Sequence, residues 1–356
     1  MWFIDTFQPK RLVIRALDER LSIRLGIRAL GVLLLLWVLC ALLIMLSLSL
    51  GSYPLSFEQL SQALFGGASS ESVNTIVWSF RFPRVLAAML VGAMLALSGA
   101  ALQSATRNPL ADPSLVGISQ GAGVAVVLAT VLWPEGVEAW RAWLALLGAL
   151  VIAGVIQWLS GSRQGKGSIR FILMGIGVAA FINAITSALM TYGKIDQAMS
   201  ALAWLSGSIN GVDWSDVGLL AVWFAVMLPI VMTVSRAMPT LAMGEATAVG
   251  LGVSLIRLRT GLICLAVGLA AVATAVVGPL GFIGLIAPHI TRRLCHSGSG
   301  LQLLICASVG AVIVALADLL GRTLVDPIQI PAGLMTAMIG VPVFILLLRR
   351  GHAAQG

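Results

Sequence analysis

The sequence predicts an all-α polytopic membrane protein of about ten transmembrane helices with both termini in the cytoplasm. Composition is the first reason: 59% of the 356 residues are hydrophobic and 10% charged, against about 45–50% apolar and about 25% charged in a soluble domain. The second is that the apolar residues gather in runs near the length of about 20 that crosses a bilayer. The third is that the 22 Lys and Arg behind the net charge of +8 sit in short segments between those runs, so the charge reports topology and not nucleic-acid binding. Soluble and disordered classes are excluded, and no stretch of about 100–200 residues remains for a separate nucleotide-hydrolysing domain.

The basic segment 1–28 comes first. Arg20, Arg24 and Arg28 fall at i, i+4 and i+8, with Arg11 and Arg15 one such step apart, as in an interfacial helix on anionic lipid. A plain positive anchor for the first span reads the same residues equally well. The apolar run 30–50 exceeds a signal-peptide core, so no cleaved signal is expected. The spans follow at 29–50, 84–105, 114–133, 142–160, 171–192, 215–235, 260–277, 282–294, 302–320 and 332–348, bounded by Pro, Gly or charge. The eighth is short and interrupted by Gly284 and Pro288. A cytoplasmic N-terminus puts seventeen Lys and Arg on that side and five (Arg81, Arg84, Arg141, Lys194, Arg322) on the other, a positive-inside bias. An even span count returns the C-terminus inward, and 29–350 reads as one transmembrane domain.

Small residues recur within spans at packing intervals: Gly92 and Ser98-Gly99 in the second, Gly117, Gly121 and Gly123 in the third. In the fifth, Asn183, Thr186, Ser187 and Thr191 form a polar stripe with Phe181 opposite. Such a stripe either bonds a neighbouring helix or lines a pathway. Val91-Gly92 before Pro109-Leu110 and Val267-Gly268 before Pro279-Leu280, with the two Pro-Leu pairs on opposite sides, fit an inverted repeat. The glycine-rich string at 161–168 fails as a phosphate loop: three residues, not four, separate Gly161 from Gly165, and Gly167 follows Lys166. His289, His296 and His352 are too scattered for a metal site, and Cys40, Cys264, Cys295 and Cys306 have no ligand or disulfide spacing. Asp318 is the main acid near a span, which weakens any proton relay.

The stretch 81–123, RFPRVLAAMLVGAMLALSGAALQSATRNPLADPSLVGISQGAG, resembles the FecCD/BtuC-like permeases of bacterial ABC importers for iron-siderophores, haem and vitamin B12. So do LSGSINGVDW at 205–214, GEATAVGLGV at 244–253, GPLGFIGLIAPHITRR at 278–293, and ADLLGRTL followed by IPAGLMTAMIGVPVFILLL. The order is the family's, from about residue 30 to 350.

The resemblance implies the BtuC-like type II importer fold and three sets of residues. Loop 238–259 would form two short helices docking into a cleft on an ATPase, with Met243, Gly244, Glu245, Ala246, Gly250, Leu251 and Gly252 as coupling residues. Gly244, Gly250 and Gly252 stand where a turn needs backbone freedom. Arg81, Arg84 and Arg322 would face acidic residues on a substrate-binding protein, and Asn108-Pro109-Leu110 would form the inner constriction. The implied partners are two ATP-binding subunits, a second permease chain (identical or paralogous), the binding protein and the bilayer of a bacterial inner membrane. This chain would hold no cofactor, ATP and Mg²⁺ residing on the ATPases. A ferric siderophore is the expected cargo, with vitamin B12 or haem as alternatives, since no charge cluster suits a bare ion. An ion-coupled secondary carrier is the competing class, and the scarcity of intramembrane acids argues against it.

Overall fold

A computed structural model of the chain describes residues 11–16, 21–51, 53–66, 70–115, 117–133, 136–160, 167–295, 297–325 and 328–352. The basic string 161–166 and His296 lie outside them. A hairpin of β1 (Arg11–Ala16) and β2 (Leu21–Gly26) precedes the helices, with Ile14 opposite Ile23. The interfacial-helix expectation is therefore corrected. A step of four residues stays on one side of a strand as well as of a helix, so the arginine spacing could not discriminate. The alternation in RLVIRA and LSIRLG has the strand period of two.

The helices are α1 (Ile27–Ser49), α2 (Phe57–Phe65), α3 (Glu71–Thr75), α4 (Phe82–Thr106), α5 (Ile118–Leu132), α6 (Val137–Ser160), α7 (Gly167–Tyr192), α8 (Ile195–Leu205), α9 (Trp214–Ser235), α10 (Met238–Ala242), α11 (Glu245–Gly250), α12 (Leu255–Val277), α13 (Ile283–Leu294), α14 (Ser299–Thr323) and α15 (Ala332–His352). Each of the ten expected spans is met by one of them. Among the described residues seven helical stretches, built on α1, α4, α6, α7, α9, α12 and α14, are long and apolar enough to cross a membrane. With 15 and 12 residues, α5 and α13 reach only about 22 and 18 Å, less than the hydrocarbon thickness of about 30 Å. The expected spans at 114–133 and 282–294 are thus met by helices shorter than the segments read from the sequence. The chain before each is held irregular by Pro113 and Gly117, and by the Gly278–Phe282 stretch, where Gly278 and Phe282 have φ of +75° and +69°.

Side-chain size decides which helix is central. In α4, Ala, Gly and Ser occur on every side, so neighbouring backbones approach from all directions, and 83% of its most apolar stretch is buried against 17% for the bulkier α9. It packs against α14, α12, α13 and α9. A Cβ on Gly92 would lie 2.2 Å from the Gly310 carbonyl of α14, and one on Gly99 would lie 2.0 Å from the Gly284 carbonyl of α13. Gly121 and Gly148 do the same between α5 and α6. These are the small-residue contacts expected at Gly92, Gly99 and Gly121. Hydrogen bonds from Ser98 Oγ to Ala266 O (2.5 Å) and from Gln103 Nε2 to Gly284 O (3.1 Å) reinforce the centre.

Candidate functional sites at the two ends of the bundle

At the end where α4 begins, a π-helical turn (Ile76–Arg81) joins α3 to α4, and the widened turn carries Arg81 to a buried position. The last carbonyls of α1 have no partner within their own helix, and two guanidiniums supply the missing donors. Arg81 Nη1 donates to Leu48 O (2.6 Å) and Ser49 O (3.1 Å), and Nη2 to Tyr53 O. Arg322 Nη2 donates to Ser47 O (2.5 Å) and Ser47 Oγ (2.6 Å), and Nη1 to Leu50 O (3.1 Å). Positive charge at a helix C-terminus is favourable. Arg84 is held by Asp318, with Nε 3.0 Å from both carboxylate oxygens and Nη2 2.9 Å from Oδ1, while Nη1 reaches Gln329 Oε1 (2.9 Å) and Asn210 Oδ1 (3.3 Å).

The expectation of exposed arginines free to meet a partner is corrected by this geometry. Arg81 and Arg322 are 7% and 6% exposed and form part of the wall of a cavity of about 390 Å³, with Arg84, Asn210, Asp213 and Gln329 around them. Asp213 caps α9, and the hydrogen bond from the Ser215 hydroxyl, then that from the Asp216 amide, holds its carboxyl below the usual range. Three guanidiniums against the carboxylates of Asp213 and Asp318 leave one surplus positive charge. Asn210 and Gln329 were missed from the sequence, where nothing marks them. The pairing of Arg84 with Asp318 spans 234 positions; its one signal was that an acid inside a membrane span needs a partner.

At the other end, about 37 Å away along the 25 residues of α4, 238–259 forms the two short helices α10 and α11. Gly244 and Gly252 take φ of +103° and +80°, as a tight turn requires; Gly250 is instead the last residue of α11. Met243 and Leu251 are largely exposed, at 63% and 61%, and Ala246 is exposed too. Glu245 Oε1 accepts from Arg107 Nη2 (2.6 Å) and Arg259 Nη2 (2.8 Å). The Arg259 hydrogen bond is the main cause of a carboxyl pKa lowered below its ordinary value. The stabilisation is present above the ordinary carboxylate range and lost only as pH falls through the lowered value, so the bridge is intact at neutral pH.

Arg107 ends α4 in the left-handed region, φ +52°, which costs about 1–2 kcal/mol for a residue with a Cβ. The turn after it is closed by Asn108 Oδ1, which accepts from Leu110 N (3.0 Å), and Pro109 and Leu110 are exposed. Pro279-Leu280 lies toward the Arg81 end, where Pro279 O abuts Gly207, so the two Pro-Leu pairs stand at opposite ends, as an inverted repeat requires.

On α7, Asn183, Ser187 and Thr191 are exposed and Thr186 is half-buried, while Ile182 and Ala179 face the chain's interior. The Thr191 hydroxyl donates back to Ser187 O (2.8 Å). Phe181 is 68% exposed, so it is not on a protected face, and the contrast expected there moves to Ile182. With the native cysteines replaced, single cysteines at Asn183 and Ser187 are expected to react with a water-soluble maleimide at least tenfold faster than one at Ile182; equal rates would show that the stripe is covered.

Membrane-length helices around a small-residue centre, with paired short helices at one end and an arginine-walled cavity at the other, define a multi-pass membrane transport subunit. The chain belongs to the FecCD transport family, which it matches over residues 9–350; members are ABC transporter permeases and not enzymes. Among curated relatives it is 38% identical to the Fe(3+)-citrate import system permease protein YfmE of Bacillus subtilis (strain 168), over 90% of this chain and 96% of the relative. It is also 38% identical to the ferric enterobactin transport system permease protein FepG of Escherichia coli (strain K12), over 84% and 89%. A solved inward-facing structure of a metal-chelate type ABC transporter superposes with a TM-score of 0.78 at 28% identity, over 90% of this chain and 99% of that one.

Proposed function

We propose that the chain is the membrane-spanning subunit of an ATP-driven importer for a ferric siderophore or a similar large ferric chelate, working with a second permease chain, two ATPase subunits and a substrate-binding protein. The observation that carries this is the exposed apolar surface at the ends of α10 and α11, with Met243 and Leu251 uncovered at their C-caps and Val249 on α11, beside the charged Glu245. An apolar patch rimmed by charge, on a loop outside the membrane-length helices, suits a cleft on another protein. Similarity to permeases for ferric citrate and ferric enterobactin supports the cargo.

In this reading 29–350 acts as one unit in a bacterial inner membrane with loop 238–259 and both termini in the cytoplasm, as the charge bias favours. The Asn183, Thr186, Ser187, Thr191 face of α7 and the Asn108-Pro109-Leu110 turn border the pathway between the two permease chains. The binding protein meets the Arg81 end, where an acidic side chain enters the cavity by the Arg84, Asn210 and Gln329 side, while Arg81 and Arg322 hold α1. The chain supplies no cofactor; ATP and Mg²⁺ sit on the ATPases.

The test is reconstitution into liposomes. The lone chain is expected to hydrolyse no ATP, and the full complex to accumulate radiolabelled ferric siderophore only with ATP and the loaded binding protein. Uptake by the lone chain driven by an ion gradient would replace this reading with a secondary carrier. Uptake of haem or vitamin B12 in place of the siderophore would change the cargo alone.

A further inference from the structure

Glu245 is the one acid in 238–259, and both contacts to its Oε1 come from within its own chain. Arg107 arrives from the end of α4 and Arg259 from the first turns of α12, so a single oxygen joins three helices. The two guanidiniums on Oε1 already offset the charge of Glu245 and make its surroundings positive, which disfavours the approach of a partner's cation. The bridge is partly exposed, with Glu245 and Arg107 side chains 32% and 41% accessible, and exposed pairs contribute little stability. Its value is therefore geometric. Arg107 is followed directly by the 108–110 turn, and the hydrogen bond from Leu110 N to Asn108 Oδ1 makes that turn a stiff unit. Displacing Arg107 displaces the turn.

We propose that Glu245 is an internal strut, delivering movement of α11 to the Asn108-Pro109-Leu110 turn through Arg107, and is not itself a contact to the ATPase. The inference deepens the coupling-loop reading and rests on it. Removing the carboxylate has a second consequence: Arg107 and Arg259 lose the acceptor that holds them together, and the tie between the ends of α4 and α12 is lost.

The test uses the full complex in nanodiscs, with Cys40, Cys264, Cys295 and Cys306 replaced and one reporter, Leu110→Cys. The rate of maleimide labelling is read without nucleotide and with ATP trapped on the ATPase. Arg107→Ala and Glu245→Gln are each expected to shrink the nucleotide-dependent change in rate about tenfold, and the double variant to be no worse than either, because both break one link. Arg107→Lys should keep most of the response, and the ATPase should still co-purify with every variant. The strut is overturned if Glu245→Gln releases the ATPase while Arg107→Ala behaves as wild type, or if the two losses multiply. A second reading needs no ATPase: in the lone chain, the spin-label distance between Val249→Cys and Leu110→Cys should broaden equally in Arg107→Ala and Glu245→Gln. Failure of the wild-type chain to bind any ATPase would sink the importer reading, and the lone-chain distances would still decide the strut, unchanged distances counting against it.

Discussion

Gly99→Ala is expected to abolish accumulation of folded protein, and Gly92→Ala to do nearly the same. The new methyl on Gly99 would stand 2.0 Å from the Gly284 carbonyl and 2.3 Å from its Cα; on Gly92 it would stand 2.2 Å from the Gly310 carbonyl. These are backbone atoms of two helices packed on α4, so no side chain can swing away. Overpacking in an adaptable core costs about 1–3 kcal/mol, and here relief requires moving α13 or α14 as a body. Gly154→Ala, Gly218→Ala and Gly261→Ala are the controls, since a Cβ there meets nothing within 4 Å. Each should be neutral or stabilising by up to about 0.5–1 kcal/mol through the higher helix propensity of alanine. Thermal unfolding with size-exclusion profiles in detergent reads the contrast. A normal Tm for Gly99→Ala would mean that the α4–α13 packing is looser than described.

Asp318→Ala carries the second large effect. Asp318 and Arg84 are 3% and 13% exposed at the side chain and joined by three N–H···O contacts of 2.9–3.0 Å. Removing one partner of a buried pair leaves the other uncompensated, a loss of about 3–5 kcal/mol. Asp318→Asn, which keeps an acceptor but no charge, should fall between. The measurement also separates two roles for this end of the protein. If Asp318→Ala and Arg322→Ala lower Tm before any partner is added, the arginines hold α1, α4 and α14 together. If Tm is unchanged and only uptake falls, their work is done at a docking surface.

The membrane class and the position of all ten helices were legible in the sequence, because bilayer insertion is a local rule: a run of about 20 apolar residues declares itself without its neighbours. The two short helices at 238–259 were equally legible once the motif around Glu245 and Gly250 placed the loop in its family. The N-terminal hairpin was misread, since arginines four apart satisfy two periodicities. The shortening of α5 and α13 was visible only as Pro and Gly punctuation, whose consequence depends on what packs against each segment.

What the sequence alone determined is which segments form apolar helices fit for a membrane, because hydrophobicity and the placement of Lys and Arg act over one helix at a time. What only the tertiary structure decided is the work of the charged residues at the two ends. Arg84 and Asp318 are 234 positions apart, Arg107 and Glu245 are 138 apart, and an arginine written in a one-dimensional string has no stated partner. Burial makes Arg81 and Arg322 caps for α1, for a physical reason: the last carbonyls of a helix have no partner of their own and need donors where its end is buried, and the fold brings these two within reach.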